Sequence, residues 1–154
     1  MNAVARTLLA GLSGLLLGDE AGAGSPEPAR RFIVAFELLG EKGFDFTWPH
    51  ASLPRYPAPR VLLVVESMPR TRKDPGGDAS ELPASRFLRI NGRLHRPLRG
   101  APARGEAEEF LVPMQAGRLR LSFTPPAATR IDPGRARAVI RLYDAQAELE
   151  GGRR

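Results

Sequence analysis

The run Arg31-Phe32-Ile33-Val34-Ala35-Phe36-Glu37-Leu38-Leu39 puts Phe32, Val34, Phe36 and Leu38 at every second position, the spacing that lines side chains along one face of a β-strand. Ile33, Ala35 and Leu39 make the other face partly apolar, so a strand covered on both sides is expected. The same period recurs downstream. Val61-Leu62-Leu63-Val64-Val65 within Arg60 to Glu66 is a continuous apolar core, which reads as a central strand. Arg86 to Ile90 and Arg93 to Arg96 flank Asn91-Gly92, the dipeptide best able to adopt the two positive φ angles of a type I′ hairpin turn. Glu109 to Val112, Arg118 to Thr124 and Arg135 to Tyr143 are three further strands, the last two punctuated by Pro125-Pro126 and Asp132-Pro133-Gly134.

Between these segments the chain reads as connection. Pro49, Pro54, Pro57 and Pro59 hold an extended, irregular stretch around Trp48, His50 and Tyr56, and Ser67 to Ala84 reads as a long surface link. No segment has the length and spacing of a core helix. About seven short strands separated by turns predict an all-β fold, an immunoglobulin-like β-sandwich whose strand order the sequence leaves open.

Ahead of the first strand, Arg6 precedes an apolar run from Thr7 to Leu17, followed by the small triplet Ala21-Gly22-Ala23. Basic start, apolar middle and small residues at a cut site are the parts of a secretory leader, expected over residues 1–23. The run is short of the ~20 residues a bilayer-spanning helix requires, which argues against stable membrane insertion. A buried helix of a cytoplasmic protein is the alternative. Residues 24–39 then form an N-terminal extension with the first strand, and 40–154 the sandwich domain. Removing 23 of 154 residues leaves 131, one domain's worth. Cysteine is absent, which leaves burial and backbone ladders to hold the fold.

The chain carries a formal charge of +6, and only Lys42 and Lys73 of its 23 basic residues are lysines. The arginines are scattered and often alternate with apolar residues, as in Arg118-Leu119-Arg120-Leu121. That pattern belongs to the solvent face of strands rather than to a nucleic-acid surface, and no nucleic-acid partner is expected. His50 and His95 lack ligand-spaced partners, no phosphate loop or Gly-x-Ser-x-Gly elbow occurs, and Glu106, Glu108 and Glu109 read as a solvated charge run. The expectation is a protein without catalytic residues, metal or cofactor.

Taken in order, the leader, Phe32 to Leu39, the Trp48-Pro49 stretch, Phe87 to Leu94 with Asn91-Gly92, Gly117 to Pro125 and Asp132 to Asp144 resemble the pilin subunits of the alternate chaperone-usher pathway, the alpha-fimbrial or colonisation-factor-like fimbriae. Where that family often has tyrosine, Gly134-Arg135-Ala136 has alanine. The resemblance implies an incomplete sandwich completed by a donor strand. Like subunits would partner it in a fibre, with a periplasmic chaperone and an outer-membrane usher before that, and it would travel from periplasm to cell surface. Phe32, Val34, Phe36 and Leu38 are the candidate donor-strand contacts, because strand addition uses backbone bonds for affinity and alternate side chains for register. The alternatives are an exported monomeric β-sandwich binding module and a basic anion-binding protein.

Overall fold

A computed structural model describes residues 6–8, 30–72, 80–98 and 107–145. Its strands are β1 (Arg6–Leu8), β2 (Phe32–Leu39), β3 (Phe44–Trp48), β4 (Arg60–Ser67), β5 (Leu88–Ile90), β6 (Glu108–Pro113), β7 (Leu119–Phe123) and β8 (Arg137–Asp144). They form two antiparallel sheets, one ordered β1-β2-β8-β4-β6 and one ordered β3-β7-β5. The expected all-β, sandwich-like fold is therefore what the chain adopts. The only helical pieces among the described residues are the single turn α1 (Ala84–Phe87) and a 3₁₀ turn at Pro133–Arg135.

Alternation explains the layering. Val61, Leu63 and Val65 of β4, Phe110 and Val112 of β6, and Ala138, Ile140 and Leu142 of β8 enter one buried cluster, which Leu88, Ile90, Leu119, Leu121 and Phe123 meet from the smaller sheet. Leu62 and Val64 point the other way, yet are also buried, so β4 is the doubly covered central strand its continuous apolar run predicts.

Three expectations are corrected. Arg86 and Phe87 belong to the helical turn α1 rather than to a strand, and Arg93 makes only a bridge to Ile90, so the Asn91-Gly92 hairpin is short on both arms. The turn itself is as expected, with φ of 53° at Asn91 and 80° at Gly92. The residues of 67–84 that are described are not all surface: Met68, Leu82 and Ala84 are buried, and Arg70 bridges to Glu81. Glu108 and Glu109 lie in β6 rather than in a solvated run, while Glu106 lies outside the described residues.

Glu108 also explains why a strand-like sequence turns helical at 84–87. Its side chain is buried, and its carboxylate accepts from the backbone N–H of Ala84 at 2.5 Å and of Ser85 at 3.3 Å. Those are orphan donors of a helical first turn, and no side chain of the preceding residues caps them. Glu108→Ala should therefore leave buried N–H groups unpaired and lower stability by about 1–3 kcal/mol, measured by urea denaturation. An unchanged midpoint would show that α1 does not need the carboxylate.

Candidate functional site

The expectation to be placed is that of the donor strand. β2 lies inside the chain's own larger sheet, antiparallel to β8 from Phe32 opposite Tyr143 to Leu39 opposite Arg137. β2 thus shares one sheet and one core with the described strands that follow it. On its other edge β2 pairs with β1, Arg6 opposite Glu37 and Leu8 opposite Ala35. That short strand falls in the segment expected to be a leader, the rest of which lies outside the described residues.

Three of the four candidate contacts share one face. Val34, Phe36 and Leu38 pair with Leu142, Ile140 and Ala138, all core residues, and Phe36 and Leu38 are each only 2% exposed. The Phe36 ring meets Phe46 of β3 at 4.9 Å between centroids and Trp48 at 6.1 Å, so the strand is clamped between its own sheet and the facing one. Phe32 is the exception. The register shifts between Phe32 and Val34, a β-bulge that inserts Ile33 and reverses the parity of everything before it. Phe32 consequently sits on the outer face against Tyr143, ring centroids 5.9 Å apart, and is 40% exposed, while Ile33 packs toward the core. Strict alternation predicted the wrong side for Phe32, and a bulge leaves no mark in one strand's sequence.

β2 leaves the sheet through 40–43. The Gly40 N–H donates to the Ala136 carbonyl at 2.7 Å, and a Cβ on Gly40 would come within 2.6 Å of the Pro69 ring. Gly43 has φ of 90°, and a Cβ there would lie 2.5 Å from the Phe123 carbonyl oxygen. Two glycines thus let the chain cross from one sheet to the other in four residues.

At the opposite end of β2, the 49–59 stretch closes the sandwich. Arg118 holds it: its guanidinium donates to the carbonyls of Pro49 at 2.7 Å, His50 at 2.8 Å, Ala51 at 3.3 Å and Leu53 at 3.1 Å. A planar fork with five N–H donors suits such a fan of carbonyl acceptors. Trp48 packs on Tyr56 at 5.2 Å, and Tyr56 donates its N–H to the Gly117 carbonyl at 2.9 Å. In front of Tyr56 opens a cleft of about 600 Å³ whose walls include Arg31, Phe32, Tyr56, Pro57, Pro59 and Asp144. Burial, and then the nearby Asp144 charge, push the Tyr56 phenol above its ordinary range, with Arg31 opposing.

Arginines lie on both sheets, and several of them are ion-paired. Arg30 forks onto Glu109 at 2.7 and 3.2 Å, Arg137 meets Glu37 at 2.6 Å, Arg141 meets Glu66 at 2.8 Å, and Arg120 meets Asp45 across the other sheet at 2.5 Å. The Arg120 hydrogen bond holds the Asp45 carboxyl below the usual carboxylate range. Because a depressed carboxyl stabilises above its unfolded pKa, that contribution fades as pH falls through the lowered value. Cross-strand ion pairs of this kind belong to solvated sheet faces. Glu108 and Glu109 point to opposite sides of β6 and do not converge, while His50 bonds the neighbouring Ser52 and His95 lies 3.2 Å from the Ile90 carbonyl oxygen.

Comparison with family models, with curated proteins and with solved structures gives no match. The site therefore rests on its own geometry. Phe36→Ala should lower stability by about 3–5 kcal/mol, the cost of emptying a buried aromatic position, whereas Phe32→Ala should cost about 1 kcal/mol or less, the worth of an exposed ring pair. Chemical denaturation of the two variants checks the bulge, and equal losses would restore simple alternation.

Proposed function

We propose that this chain is a structural subunit of a bacterial surface fimbria, polymerising by donation of β2 to the sheet of a like subunit. What supports the reading is the way β2 is attached. It is the N-terminal member of the sandwich core, joined to the rest by 40–43 alone on its C-terminal side, and every core partner it meets comes from further along the chain: β8 beside it, and Phe46 and Trp48 facing it. The same ladder and the same three inner side chains can be supplied by the chain itself or by a neighbour, so the closed arrangement is the self-complemented form of the joint. Burying Val34, Phe36 and Leu38 at ~1.5–3 kcal/mol each gives on the order of 5–9 kcal/mol of gross gain in either arrangement. An unfilled place beside β8 would expose a backbone edge and an apolar slot, which invites strand addition by a chaperone or a like subunit. The compartment, with leader removal, chaperone and usher, belongs to the same proposal.

A second reading is favoured by one observation. β2 is paired inside its own sheet in a single chain, which suits an exported, self-contained β-sandwich binding module equally well.

Strand exchange separates the two. Folded chain incubated with a labelled peptide of residues 31–39 should take up the peptide into a stable complex seen by size-exclusion chromatography, with its own β2 displaced. A peptide carrying Phe36→Asp should fail, because a carboxylate entering an apolar slot costs several kcal/mol. Concentrated chain should likewise form ladders of oligomers. A chain that stays monomeric and ignores the peptide is the binding module instead.

A further inference from the structure

We infer that the exposed strip 93–98, with α1 and β5 beside it, is a contact surface for an anionic lipid membrane. From Leu82 to Gly105 the sequence holds six arginines and no acid, and the 17 basic residues left elsewhere equal the chain's 17 acids. The whole formal excess of +6 is therefore concentrated in one segment. Arg99 and Arg104 lie outside the described residues, while Arg86, Arg89, Arg93 and Arg96 are described and exposed. Their charges are not spent within the fold. The ion pairs of the described residues use other arginines, Arg30 on Glu109, Arg70 on Glu81 and Arg120 on Asp45 among them, and none reaches these four. The Arg89 guanidinium donates to the Gly92 carbonyl at 3.4 Å, which neutralises nothing.

The strip is also apolar in part. The Asn91 side chain is bonded to Pro113 at the end of β6, and the Leu98 N–H donates to the Glu109 carbonyl near its start, so the strip runs down the outer edge of β6. Along it exposure alternates: Leu94, Arg96 and Leu98 are exposed, whereas His95 and Pro97 are half-buried, with His95 3.2 Å from the Ile90 carbonyl oxygen. Two leucines, 49% and 44% exposed, thus flank an arginine on one outward side. Leucines bracketed by guanidinium groups suit a bilayer surface, where apolar side chains enter the acyl boundary while the cations stay at the phosphates. The planar guanidinium forks onto a phosphate with two parallel bonds. A soluble polyanion answers the arginines and offers the leucines nothing, which is what favours the membrane. Strand donation is not involved, since β6 and β2 lie on opposite sides of the larger sheet.

Co-sedimentation of the full chain with vesicles tests this, phosphatidylcholine alone against phosphatidylcholine with about one-third phosphatidylglycerol. Affinity should be higher for the anionic vesicles, and that gain should be lost in about 1 M salt. Arg93→Ala and Arg96→Ala should each weaken binding to the anionic vesicles by about fivefold, the share of one cation near an anionic surface. The Leu94→Ala/Leu98→Ala double variant should weaken it as well, and all variants should retain the folded amide spectrum. Arg135→Ala, on the 3₁₀ turn before β8, should change it by less than about twofold. The inference is overturned if the two kinds of vesicle bind alike, if either strip arginine variant binds as the parent does, or if Arg135→Ala costs as much as they do. Unchanged vesicle binding by the leucine variant also overturns it and assigns the strip to a soluble polyanion.

Discussion

Everything in this sandwich depends on covering the inner face of β8. Ala138, Ile140 and Leu142 are fully buried and sit between β2 on one side and β4 on the other. Among the described residues the facing sheet has three strands, β3, β7 and β5, fewer than the sheet it covers. Aromatic reach makes up the difference: Phe46 and Trp48 extend over Phe36, and Tyr56 extends over Trp48. A short strand ending in tryptophan and a proline-held tyrosine do the work that another strand would do. That dependence is why the 49–59 stretch is anchored so heavily by Arg118, whose donors reach the carbonyls of Pro49 and Leu53 and share that of His50 with the Leu53 N–H.

The two edges of the larger sheet are managed differently. At β6, Leu98 donates its N–H to the Glu109 carbonyl at 2.7 Å and the Asn91 side chain donates to the Pro113 carbonyl at 2.8 Å, so the outer backbone row is blunted by local chain. Asn91 thereby does three things: it supplies the left-handed turn residue, accepts from the Arg120 N–H at 3.0 Å and staples the turn to β6. At β2 the described cover is only the short β1, opposite Ala35 to Glu37. One edge is blunted by chain that bonds across its backbone row, and the other is covered over only three residues by a paired strand.

Strands whose burial follows a simple period were legible. β2, β4 and β8 stand out because Phe36 and Leu38, Val61 to Val65, and Ala138 to Leu142 show alternation or a continuous apolar run. β3 was not seen as a strand although Phe44-Asp45-Phe46-Thr47-Trp48 alternates cleanly. Its last residue, Trp48, adjoins the proline-rich stretch and reads as part of that irregular segment. Period two over those five residues was the signal that would have found it. The bulge at Ile33 and the helical turn at 84–87 had no such signal. One is fixed by register against β8, the other by a carboxylate from β6, and both are long-range facts that a local window does not contain. For the same reason alternation places Val34, Phe36 and Leu38 on one face, as the structure has them, and misplaces Phe32. The cleft was invisible, since Arg31, Tyr56 and Asp144 meet only once β2 and β8 are paired.

The pairing of β2 with β8 also sets a schedule. Arg137 and Glu37, bonded across that ladder, lie 100 residues apart in sequence, so the first core strand to be synthesised finds its neighbour in the last. Contacts of such separation close late, because the entropy of a long loop is spent before they return anything. While the intervening strands assemble, the side chains of Val34, Phe36 and Leu38 have no slot and the slot has no strand. A chain whose β2–β8 ladder is unformed exposes both an apolar ribbon and the groove that fits it, the condition under which strands of different molecules compete for one groove.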